Sequence, residues 1–193
     1  IVGGYPEVLT RSSARRSRWF DSYIVTLIQR DIRDLTTIEH SNAMPTLLRL
    51  VAARTANLAN VSEISRELRM PVATLNRYLS LLETLFLLDP LRSWSANMTS
   101  RLVKSPKYFL NDTGLASHLL EATGERVSRK PEVAGALLEA FVVGELRKQF
   151  TWSSVRPGIM HFRTSTGTEA DVIMEARDGR IVGIEVKAGS RVE

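Results

Sequence analysis

Apolar residues return at three- and four-residue steps through roughly the first 150 positions, then give way to short apolar runs. That change of period predicts a mainly helical first part and a strand-rich end. Over residues 14–37, Trp19, Phe20, Tyr23, Ile24, Leu27, Ile28 and Ile32 share one helical face. Ser41 or Asn42 offers an N-cap for a second helix running to about 56 through Leu47, Leu48, Leu50 and Val51. Residues 60–68 and 72–85 predict two helices separated only by Arg69-Met70-Pro71. Residues 86–91 and 107–110 predict a strand pair around a polar excursion at 92–106. Asp112 suits the cap of a short helix ending near 120, and 121–132 reads as a linker. Over 133–150, Leu137, Leu138, Phe141, Val142, Leu146 and Phe150 form a helical stripe, with Glu139 and Glu145 at its edge. Three strands follow, separated by turns at Gly167 and Gly179.

The closely spaced pair 60–68 and 72–85 resembles a helix-turn-helix, and the strands after it supply a wing. Ile64, Leu68, Leu75, Leu79 and Leu82 are its expected core. Thr74, Asn76, Arg77 and Ser80 project outward from the second helix and are the expected DNA contacts. The same module also serves as a protein–protein or interdomain element, since a fold does not fix a function.

The sharpest chemistry lies near the end. Asp171 sits in the apolar run 170–174, and Glu185 and Lys187 close the next strand as Glu-x-Lys. Two carboxylates at that spacing can bracket a hard cation such as Mg²⁺. A neighbouring ammonium can place a water or steady charge on phosphorus. The pattern resembles the active core of the restriction-endonuclease-like PD-(D/E)xK nucleases, in which a Glu-bearing helix precedes three strands. That resemblance implies metal ligation by Asp171, Glu185 and the Val186 carbonyl. It gives Lys187 the water, and Glu139 an accessory role at metal-bound water. The plainer alternative is a hairpin and strand whose charges face solvent.

Composition narrows the class. The 193 residues are 44% hydrophobic and 24% charged, as in soluble globular chains, and no apolar run approaches a bilayer span. There is no cysteine, which excludes disulfides and thiolate metal sites and agrees with a cytoplasmic setting. His40, His118 and His161 have no metal-ligand spacing, and no loop ends in Gly-Lys-Ser/Thr, so ATP has no Walker cradle here. Residues 1–130 carry 18 Lys and Arg against 12 Asp and Glu, whereas 131–193 carry 8 against 9. A basic first part suits phosphate contacts.

Several pieces together resemble one prokaryotic family, the AAA-type ATPases followed by a C-terminal domain of unknown function. They are Gly3-Gly4-Tyr5-Pro6-Glu7-Val8, Leu27-Ile28-Gln29-Arg30-Asp31-Ile32, Asn60-Val61-Ser62-Glu63-Ile64-Ser65, Tyr78-Leu79-x-Leu81-Leu82-Glu83, and Pro106-Lys107-Tyr108-Phe109-x-Asn111-Asp112-Thr113-Gly114-Leu115. Gly135-x-x-x-Glu139-x-Phe141-Val142, Glu169-Ala170-Asp171 and Ile184-Glu185-Val186-Lys187 complete the set. Ala170 stands where the family more often has Val. The resemblance implies that an ATP-binding domain precedes Ile1 in a longer protein. It also implies a winged helix leading into a nuclease-like domain cut short at its C-terminus, because such a sheet normally continues. The expected organisation is a helical segment at 1–56, a winged-helix-like module at 57–120, a linker at 121–132 and an incomplete αβββ domain at 133–193. The leading expectation is DNA binding with metal-dependent cleavage. Its rival is a non-enzymatic domain coupling the ATPase to a protein or DNA partner.

Overall fold

The computed structural model describes residues 2–32, 43–164 and 166–189. Most of its helices begin where the sequence supplies a proline or a capping side chain. α1 (Pro6–Leu9) starts on Pro6, and α2 (Ser13–Thr26) unwinds into a π-helical turn over Leu27–Ile32. α3 (Met44–Ala53) carries Pro45 in its first turn. The caps expected at Ser41 and Asn42, and the 33–37 end of the first predicted helix, lie outside the described residues.

α4 (Val61–Leu68) is capped by Asn60, whose side chain accepts the Glu63 N–H at 3.1 Å. Arg69 ends it in the left-handed region at φ 49°, and the Met70 N–H returns to the Ser65 carbonyl at 3.0 Å. Those returning bonds satisfy carbonyls that a helix end leaves open. α5 (Val72–Thr84) begins at once, with Pro71 as its N-cap. Leu47, Leu48 and Val51 of α3 join Ile64 of α4 and Leu75, Leu79 and Leu82 of α5 in a first core.

β1 (Leu88–Leu91) and β2 (Lys107–Leu110) pair antiparallel, Leu88 opposite Leu110 and Leu91 opposite Lys107. Side chains alternate along a strand, and here both faces are covered. Leu88 and Leu110 lie in the first core, while Leu91 and Phe109 lie in a second one. The excursion between these strands holds a short helix, α6 (Met98–Val103), capped by Asn97.

α7 (Thr113–Leu119) is capped by Asp112, which accepts the Leu115 N–H at 2.7 Å and the Gly4 N–H at 2.6 Å. The segment read as a linker contains α8 (Gly124–Arg129), followed by the long α9 (Pro131–Phe150). α9 buries Leu137, Glu139, Ala140 and Val143 and leaves Phe141 exposed, so its inward face is turned from the predicted stripe.

β3 (Gly158–Arg163), β4 (Glu169–Glu175) and β5 (Ile181–Ile184) form an antiparallel sheet in that order. The β4–β5 turn needs glycine at 179, where φ is +85°. A β-bulge between Met160 and Phe162 frees the backbone of His161 from the β4 ladder. That backbone instead takes the Arg92 carbonyl at 2.9 Å and gives its own carbonyl to the Trp94 N–H at 2.6 Å. The chain leaving β1 thus runs alongside β3, tying hairpin and sheet together. The second core fills the angle between them with Leu91, Phe109, Ala140, Val143 and Val172. The result is a mixed α/β chain with two small antiparallel sheets.

Candidate functional site

β2 opens on a lysine in an otherwise apolar strand, and the pleat sends it to the same side as Phe109. Lys107 is only 4% exposed. Its ammonium donates to Glu139 Oε1 of α9 at 2.8 Å and faces Asp171 Oδ1 of β4 at 3.4 Å. Glu139 is 9% exposed, and burial pushes its carboxyl up to about 7. Lys107 opposes that rise, while the charges of Asp171 and Glu169 add to it.

The ladder pair Val172–Ile184 would next set Asp171 opposite Glu185. Asp171 Oδ2 accepts the Val186 N–H at 2.8 Å instead, and β5 ends at Ile184. Glu185 and Lys187 are exposed and pair with each other at 2.5 Å. The Lys187 ammonium is held above its ordinary range by its hydrogen bond to Glu185, with Asp171 and Glu169 adding to the field.

The structure therefore brings Glu139 and Asp171 onto a common partner and joins Val186 to Asp171 through its N–H. Among the described residues no hydrogen bond or ion pair links Asp171 to Glu185. Glu145, the other acidic candidate on α9, pairs with Lys148 at 2.6 Å.

A divalent cation needs deprotonated ligands whose oxygens are free to turn toward it. Both Asp171 oxygens are engaged, Glu139 Oε1 holds Lys107 and Glu185 Oε1 holds Lys187. Among the described residues, no group of three or more His, Cys, Asp or Glu is placed to hold a metal ion. This arrangement does not fit Mg²⁺.

Sequence reasoning counted Lys107 with Arg92, Arg101 and Lys104 in a basic face for phosphate, whereas the structure buries it against two acids. The available signal was its place two residues before Phe109, on what proves to be a buried face. Two further cations tie the same region together. Arg101 of α6 forks onto Glu175 of β4 at 2.5 and 3.1 Å, and Arg147 of α9 reaches the Asp89 carboxylate and, at 3.1 Å, the Pro90 carbonyl.

A separate polar surface lies on α5. Asn76, Arg77 and Ser80 are exposed and Thr74 is half-buried. Arg66 and Arg69, at the end of α4, are exposed as well. Among the described residues none of the three arginines has an acidic partner.

A helical first part that delivers a hairpin lysine to acids on a following helix and sheet defines the chain as a two-part α/β protein. Residues 1–126 match the family described as domain of unknown function DUF8612, and the chain belongs to that family. Residues 134–193 match a second one, domain of unknown function DUF4143. An uncharacterized protein of Mycobacterium tuberculosis and one of Mycobacterium bovis are each 30% identical over 192 residues, covering 98% of this chain and 42% of their own length. An uncharacterized protein of Haemophilus influenzae is 24% identical over 135 residues, 67% of this chain and 34% of its own. The chain thus spans about two fifths of the length of the mycobacterial relatives. No solved structure matches it.

Proposed function

We propose that this chain is the C-terminal region of a cytoplasmic AAA-type ATP-binding protein, contacting DNA and coupling that contact to the ATP-binding part. In this reading α4, α5 and the β1–β2 hairpin are a winged helix. Residues 131–189 keep a restriction-endonuclease-like arrangement that braces it without cutting. The observation that carries the reading is the Lys107 ammonium between Glu139 and Asp171, at 2.8 and 3.4 Å. It spends the acids of the nuclease pattern on holding the hairpin. The α5 face, with Asn76, Arg77 and Ser80 open, remains available to phosphates and bases. No helix among the described residues is long and apolar enough to cross a membrane.

Duplex DNA binding followed by fluorescence anisotropy across a salt series tests the proposal. Arg77→Ala should weaken binding and reduce the salt slope by about one phosphate contact. Unchanged affinity and slope would remove DNA from the proposal and leave α5 an interdomain face.

A metal-dependent phosphodiesterase is the second reading. The register, whose last pair Val172–Ile184 is followed on the two chains by Asp171 and Glu185, favours it. Incubating the same duplex with Mg²⁺ separates the two, since cleavage abolished by Asp171→Asn belongs only to the second.

A further inference from the structure

We propose that Lys107 is a built-in cation: its ammonium holds the place between Glu139 and Asp171 that a divalent ion would take, so the β1–β2 hairpin decides whether this acid pair can receive one.

Three features support the exchange. The ammonium is within reach of both carboxylates at once, as a bridging ion would be. The site is largely shielded from water, with Lys107 4% and Glu139 9% exposed and Asp171 half-buried, so charge on one partner is best met by charge on another. And Lys107 is delivered by a fixed strand. Its backbone pairs with Leu91 on one side and bridges to Leu58 on the other, next to an Ala59 N–H to Pro106 carbonyl bond of 2.8 Å.

Two carboxylates and one ammonium leave the cluster one negative charge in excess when all three are ionised. Removing the ammonium leaves the buried Glu139 and the half-buried Asp171 without their shared partner. Such a pair must take up a proton or a cation. Ammonium and divalent ion are therefore alternatives at one position.

The experiment compares the intact chain with Lys107→Ala and Lys107→Met, using Mn²⁺ as the probe. Free Mn²⁺ is read by electron paramagnetic resonance and folding by thermal melting. Lys107→Ala should bind one Mn²⁺ more tightly than the wild type by about tenfold or more. Adding Asp171→Asn should remove that gain. If either lysine variant is unfolded in chelator, Mn²⁺ should restore its melting transition, because the ion replaces the lost charge. The proposal is overturned if a folded Lys107→Ala gains no Mn²⁺ site or an unfolded one is not rescued. Wild-type protein that binds Mn²⁺ as tightly as the variant, or a gain that survives Asp171→Asn, overturns it as well. These titrations contain no DNA, so their outcome is independent of what Arg77→Ala does to DNA affinity.

Discussion

His161 shows how one side chain feels the join between hairpin and sheet. It is 1% exposed, and its Nε2–H donates to the Ser105 carbonyl at 3.3 Å, which fixes the neutral tautomer. Nδ1 has no hydrogen-bond partner among the described residues. Burial brings the imidazole down to about 4, and the charges of Lys107, Lys104 and Arg163 push the same way. A group depressed on folding stabilises above its unfolded value, about 6.5, and that contribution is lost as pH falls toward 4. Urea midpoints should therefore fall faster for the wild type than for His161→Gln between these values. Glutamine keeps a donor near the Nε2 position and does not titrate. A pH-independent difference would mean that His161 is protonated equally in both states. Neither this histidine nor Lys107 was legible as a buried partner, because each depends on a strand register. Asp171, Glu185 and Lys187 stood out because their spacing is local.

At the scale of elements, the pieces most easily read from sequence were those with local signals. Asp112 caps the helix expected of it, the helix expected from Asn60 starts one residue later with Asn60 as its cap, and Gly167 and Gly179 make the turns with positive φ. α6 and α8 were missed because helices of six residues show too little periodicity to separate from polar loops. The inward face of α9 was misjudged because apolar residues lie nearly all round it, leaving tertiary contact to choose among them. Two motifs noticed separately prove to be one contact. Gly4 donates to Asp112, and a methyl group on Gly114 would meet the Val2 carbonyl oxygen at 2.3 Å. Within a helix, glycine to alanine ordinarily gains about 1 kcal/mol. Here the backbone clash should win, so Gly114→Ala is expected to cost about 1–3 kcal/mol net in urea unfolding. A raised midpoint would mean that residues 2–4 yield freely.

For the whole molecule, the hairpin is the common wall of both cores. Leu88 and Leu110 pack on one side and Leu91 and Phe109 on the other. Opening either core strips one face of the strands whose other face the remaining core uses. Arg101–Glu175, the Arg147–Asp89 contact and Lys107–Glu139 cross the same boundary. Hydrogen exchange should accordingly give the amides of Leu79, in the first core, and Val172, in the second, one shared opening free energy. Clearly different values would show two independently opening units. The division of the chain read from sequence followed composition and loop signals. A wall shared by two cores leaves no such mark, since its strands look like any short apolar run.

The buried ammonium also proofreads how the hairpin zips. A one-residue slip of β2 against β1 would turn every side chain to the opposite face. Lys107 would then turn toward the first core, among Leu88, Leu82 and their apolar neighbours, and away from Glu139 and Asp171. Leu88, Leu91, Phe109 and Leu110 are similar enough in greasiness to tolerate the exchange, so packing alone discriminates weakly. Charge does not tolerate it. A slipped register would take the lysine from both of its acid partners, and a four-residue strand thereby acquires a preferred alignment.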